Sequence, residues 1–260
     1  MTMMYFDSHC HLNDEAMLSR IDEVIQECRE ANIHRMLVIG YDVASSRVAV
    51  ELSKKYEEVY AVVGVHPENL EGLTLDCLKD IKELAKEEKV VAIGEIGLDY
   101  HWYKEPEIRA AQKPWFIAQI DLANELGLPV SVHARECTQD VYGILKAHPV
   151  HAGAVLHCYS GSVESLREFV KLGVCFGFDG PITFKNAITP KECVKACPID
   201  RLLVETDSPY LAPTPFRGKP NSPKYIPLIV EEMANLREMD PETLNAALWR
   251  NFEKLFRVKQ

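Results

Sequence analysis

Eight short β-rich runs alternate with longer amphipathic ones along this chain, and that alternation restricts its fold more than any other feature. The runs are 5–12, 34–40, 59–66, 89–97, 128–135, 153–160, 173–180 and 201–208. Between the first two, Leu18, Ile21, Val24, Ile25 and Cys28 have the three-and-four spacing of a one-sided helix over 17–31. Stretches 45–56, 78–88, 111–127, 138–148 and 163–173 follow the same pattern, and Gly127 and Gly173 stand where a helix closes on a left-handed residue. The seventh connection is the least regular, with a helix only over 189–197. Strand then helix, eight times, predicts an α/β chain closed into a parallel (β/α)8 TIM barrel. An open doubly wound sheet is disfavoured, because neither GxGxxG nor a P-loop pattern follows any strand. Helices at 224–238, 241–251 and 252–256 extend the chain beyond the barrel, and the Pro- and Gly-rich stretch 212–223 reads as an ordered surface loop. No linker divides the sequence, so 1–260 is expected to be a single domain.

Against this frame the polar residues are concentrated in one place. His9 and His11 end the first run, His66 the third, Glu95 the fourth, His133 the fifth, His157 the sixth and Asp207 the eighth. All lie at the C-terminal ends of their strands, the face of a barrel that carries chemistry. Unpaired polar groups there cost stability, so folding alone does not explain them. Alternate residues of a strand share a side, which places His9 with His11 and sends Phe6, Ser8 and Cys10 the other way. Imidazoles with carboxylates suit divalent Zn, Mn, Fe, Co or Mg. The expected ligands are His9, His11, Glu95, His133, His157 and Asp207. Glu95 would bridge two ions about 3.5–4 Å apart, and Asp207 would take a proton from a metal-activated water.

The remaining polar residues have competing readings. His66, before Pro67, either contacts substrate or packs a turn. Arg135 either steers phosphate or pairs on the barrel rim. Glu205 shares parity with Asp207 one layer deeper and reads as a buried carboxylate supporting the ligands. Asp99 and Tyr100 would order the loop beside Glu95. Lys185 and the loop 216–223, with Arg217 and Asn221, are the cationic and polar material expected to border the pocket. His34, His148 and His151 read as structural or surface residues, His101 remains open, and the cysteines, Cys10 between the two histidines included, point away by parity or lie on helices and read as core.

Net charge is -10, which gives no overall attraction to nucleic acid or to an anionic membrane. A polyanionic substrate would have to be held by metal or local cations. The eight cysteines contain no CxxC pair, and no apolar run approaches the ~18 residues of a membrane helix. With no signal pattern in MTMMYFD, a cytoplasmic protein with reduced thiols is expected. Nothing indicates an obligate protein partner, and single-domain length suits a monomer.

The stretches DSHCHL (7–12), GVHP (64–67), VAIGEIGLDY (91–100), PVSVHAR (129–135), AVLHCYSGS (154–162), GPITFKNA (180–187), LLVETDSPYLAP (202–213), RGKPNSP (217–223) and NFEKLF (251–256) resemble the TatD family of metal-dependent deoxyribonucleases, within the amidohydrolase superfamily. The resemblance runs end to end and departs from the family pattern at no ligand position. It implies the barrel, a centre of two divalent ions (Mg²⁺, Mn²⁺ or Zn²⁺) on the six ligands named, and hydrolysis of DNA, 3′–5′ from single-stranded ends. Because one fold and metal site support many hydrolyses, a small-molecule amidohydrolase or phosphoesterase is the alternative. A scaffold with structural ions is a further one.

Overall fold

The computed structural model describes residues 3–260; the first two residues of the expected domain and of MTMMYFD lie outside it. Eight parallel strands pair in sequence order: β1 (Tyr5–Cys10), β2 (Ile33–Ile39), β3 (Val59–Val63), β4 (Val90–Asp99), β5 (Val130–Arg135), β6 (Ala154–Leu156), β7 (Cys175–Phe178) and β8 (Leu202–Val204). The ends of the sheet meet just past β8. Asp207 N donates to His9 O at 2.9 Å, His11 N donates to Ser208 O at 2.7 Å, and Ser8 Oγ donates to Val204 O at 2.9 Å. This is the expected TIM barrel, nearly closed.

Helices α1 (Glu15–Leu18), α2 (Ile21–Glu30), α3 (Val43–Lys55), α4 (Leu78–Leu84), α5 (Pro106–Leu126), α6 (Thr138–Ala147), α7 (Val163–Lys171) and α8 (Ile188–Ala196) fill the connections. The sequence explains their ends. Asp42 caps α3 with Ser45 in a reciprocal pair, Ser162 caps α7, and Gly127 closes α5 at φ 65°. After the barrel come α9 (Ile226–Arg237) and α10 (Pro241–Phe256). Helix α10 packs on β1, where Phe6 stacks on Phe252 with ring centroids 4.2 Å apart and meets Trp249 edge-on at 4.9 Å. All ten residues of β4 are buried, since one face looks into the barrel and the other lies under helices. No helix among the described residues is long and apolar enough to cross a membrane.

Several expected boundaries are corrected. The first helix is broken at Ser19–Arg20 into α1 and α2, and the two short C-terminal helices form one, α10. Strands six and eight stop at Leu156 and Val204, short of His157 and Asp207. Just beyond, Cys158 and Asp207 take left-handed φ values of 43° and 54°, which ends the pleat. The pairing of β1 with β2 also slips between Asp7 and Cys10. Simple alternation therefore fails at Ser8, whose hydroxyl donates to Glu205 Oε2 at 3.2 Å.

Candidate metal centre

The polar strand ends converge on the two oxygens of Glu95. On one side, Oε2 lies 3.4 Å from His9 Nε2 and 3.7 Å from His11 Nε2. Asp207 Oδ1 completes this group, 3.7 Å from His9 Nε2 and 3.4 Å from His11 Nε2. On the other side, Oε1 lies 2.6 Å from His157 Nε2, 3.0 Å from His133 Nδ1 and 3.3 Å from His66 Nε2. Glu95 thus presents one oxygen to each of two nitrogen-rich groups, the arrangement a bridging carboxylate needs. The side chain is 5% exposed, at the floor of a cavity of about 650 Å³ lined also by His11, His66, His133, His157 and Asp207.

The outer nitrogens show which inner lone pairs are available. His11 Nδ1 is 3.1 Å from the Ile39 carbonyl and His133 Nε2 is 2.9 Å from Asp99 Oδ2. A carbonyl and a carboxylate can only accept, so these nitrogens carry hydrogens and a cation could occupy the opposite nitrogen of each ring. His157 Nδ1 is buried without a hydrogen-bond partner, 3.8 Å from Glu205 Oε1. A cation on its Nε2 would move the ring proton to Nδ1 and toward that carboxylate. His9 stacks on His157, rings 8° from parallel and 3.9 Å apart. His66 is set the other way: its Nδ1 accepts from the Glu68 amide at 3.1 Å, capping a 3-10 turn over Pro67–Asn69. The hydrogen of neutral His66 therefore sits on Nε2, facing Glu95 and the cavity. This donor set of imidazoles and carboxylates fits divalent metal binding.

Charges in the group follow from the same geometry. Burial would raise Glu95, but the His157, His66 and His133 rings hold its carboxyl well below the ordinary range. Burial opposes a charge on His133, yet its bonds to Asp99 and Glu95 raise it to about 9. Burial, with His157 close by, lowers His9 to about 4. Beneath the centre, burial pushes Asp7 up to about 7 and Asp179 up to about 8.

Of the other expected site residues, Asp99 and Glu205 lie behind His133 and His157. Glu205 accepts from the Cys158 amide at 2.5 Å and fills the space that Gly177 leaves, where a Cβ would stand 2.1 Å from its Oε2. Arg135 lines the cavity with its guanidinium 5.5 Å over the Trp102 ring. Three expected substrate contacts do not line it. Lys185 is exposed elsewhere, and Arg217 packs 4.3 Å over Phe184. Asn221 is buried, its amide donating to the carbonyls of Thr206 (2.7 Å) and Tyr210 (2.6 Å), so it braces the loop after β8. Sequence reasoning missed Trp102, Tyr41 and Tyr210 on the cavity wall, because aromatic residues in loops carry no periodic signal. It also missed Cys158, which lies beside Asp179 and Asp207 instead of pointing away. Its left-handed φ overrides strand parity, and only the adjoining Tyr-Ser-Gly turn hints at that.

Comparison with known proteins agrees with the fold and with metal dependence. A family model described as TatD related DNase matches residues 6–257. The chain is 45% identical over 256 residues to the metal-dependent hydrolase YabD of Bacillus subtilis (strain 168), covering 98% of this chain and 100% of that one. It is 37% identical over 260 residues to the metal-dependent hydrolase YcfH of Escherichia coli (strain K12), covering 98% and 97%. The crystal structure of YJJV, a TatD homolog from Escherichia coli K12, superposes with a TM-score of 0.92 at 29% identity over 98% of both chains. The chain belongs to the TatD family of metal-dependent hydrolases.

Proposed function

We propose that this hydrolase is a deoxyribonuclease that cleaves DNA phosphodiester bonds, acting on single-stranded ends with 3′–5′ polarity. The observation that carries the reading is Glu95, with one oxygen toward His9 and His11 and the other toward His133 and His157, at the floor of an open cavity. His9, His11 and Asp207 would hold one divalent ion, His133 and His157 the other, and Glu95 both. Such ions, Mg²⁺, Mn²⁺ or Zn²⁺, lower the pKa of water and neutralise charge on phosphoryl oxygens.

The chain's own residues supply the rest. Asp207, at the cavity floor, accepts the proton of the attacking water. His66 Nε2–H donates to a non-bridging phosphoryl oxygen, its orientation fixed by the Glu68 amide. Arg135 holds the adjoining phosphate. Trp102 is 62% exposed and Tyr210 is 55% exposed, and such faces suit stacking of unpaired bases. With Lys185, Arg217 and Asn221 away from the cavity, Arg135 is the cation at hand, which suits a strand end better than a long duplex. Every side chain in this scheme comes from one chain, so the monomer suffices.

Release of nucleotides from single-stranded DNA by metal-stripped protein tests the reading, with each cation added back and Glu95→Ala alongside. Activity should return with metal and be absent in the variant. Folded protein that binds two ions yet releases nothing would remove DNA as substrate and leave a small-molecule phosphoester or amide as the alternative.

A further inference from the structure

Next to the Glu95 centre lies a further group of donors that shares Asp207 with it and adds Cys158 and Asp179, which the proposed reaction does not use. Cys158 Sγ, a carboxylate oxygen of Asp179 and a carboxylate oxygen of Asp207 all lie within 4.8 Å of one another. Asp179 is only 4% exposed, and its Oδ2 has no hydrogen-bond partner. Among the described residues, no lysine, arginine or histidine pairs with it. A buried carboxylate set against a thiol and a second carboxylate, with one oxygen unpartnered, is a donor group open to a cation. We propose that Cys158, Asp179 and Asp207 form a third divalent-cation site, distinct from the two that Glu95 would bridge and selective for ions of borderline softness such as Zn²⁺.

The chemistry of the donors sets the selectivity. Two carboxylates alone would suit Mg²⁺ or Mn²⁺, but a thiolate favours zinc-like ions. Donors of one tetrahedral ion with sulfur and oxygen ligands stand roughly 3.5 Å apart, so a small contraction would close the group. Three protein ligands leave a fourth position for water. The approach is already built: the Cys158 amide is pinned to Glu205 Oε1 at 2.5 Å, and the left-handed backbone at Cys158 departs from the strand alternation. Binding would release the thiol proton to solvent. Asp207 would then join this site to the neighbouring ion on His9 and His11, so occupancy here would fix the orientation of the carboxylate proposed as proton acceptor.

The test is a titration of metal-free, full-length protein with Cd²⁺, followed by thiolate-to-metal charge-transfer absorption, with bound metal counted by elemental analysis after desalting. The wild type should develop the band and bind three ions per chain. Cys158→Ser should lose the band, and Asp179→Asn, nearly isosteric, should weaken it at least tenfold in affinity, both keeping two ions. Cys77→Ser, at the one other cysteine that is not fully buried, should leave the band intact. A wild type that binds two ions without the band, or a band that persists in Cys158→Ser, overturns the site. So does an unchanged Asp179→Asn titration, as expected if Asp179 is simply protonated.

Discussion

His133 donates through Nε2 to Asp99 Oδ2 at 2.9 Å, and this bond turns Nδ1 to within 3.0 Å of Glu95 Oε1. Asp99 therefore acts on the centre through a ring it orients. Burial would raise its own carboxyl, but the bond from His133 and the amides of Trp102 and His101 lower it to about 2. Asp99→Asn keeps the shape and loses the charge. We expect metal affinity to fall about 10–100-fold, read by chelator competition, with the fold intact by circular dichroism. Unchanged affinity would mean that Asp99 serves only the loop.

The raised His133 makes the metal-free protein pH-dependent in a defined window. A histidine held above its ordinary value of 6.5 contributes stability that is complete below 6.5 and is lost as pH rises through about 9. His133→Gln should flatten the decline in urea midpoint across that interval. Metal must displace the same proton, so affinity for the ion on the His133 side should rise up to about pH 9 and then level off. Calorimetric titrations at several pH values would show it; an affinity flat from pH 7 to 9 would refute it.

His66 is predicted to serve the substrate, because its cavity-facing nitrogen carries the hydrogen. His66→Ala should bind the full metal complement while kcat/KM falls about 10²–10³-fold, the usual loss for one donor to a developing oxyanion. Loss of an ion in this variant would make His66 a ligand.

Asn221 contributes to stability. Its amide satisfies two carbonyls in the loop that carries Asp207. Asn221→Ala would leave the buried Thr206 carbonyl and the part-buried Tyr210 carbonyl without that partner and should cost about 1–3 kcal/mol in urea unfolding. KM for an oligonucleotide should move little. A raised KM at unchanged stability would restore the substrate contact expected from its loop.

The barrel was legible because a strand-and-helix alternation repeated eight times has few closed solutions, and the clustered strand ends were legible because a barrel sends them to one mouth. What escaped the sequence was local and tertiary. Whether Arg217 reaches a pocket or stacks on Phe184 depends on the path of a loop held by proline and asparagine, and no periodicity encodes that. The tautomers of His66 and His133 depend on Glu68 and Asp99, brought close by folding. Cys158 was misplaced because parity holds only while a strand lasts, and β6 ends two residues earlier.

The central claim is that Glu95 joins two ions, and electron paramagnetic resonance of the Mn²⁺-loaded protein addresses it most directly. Wild type carrying Mn²⁺ in both positions of the Glu95 centre should show an exchange-coupled pair, and Glu95→Ala, though folded, should show isolated or unbound Mn²⁺ and no hydrolysis. Uncoupled spectra from the doubly loaded wild type, or coupling that survives in Glu95→Ala, would contradict the account.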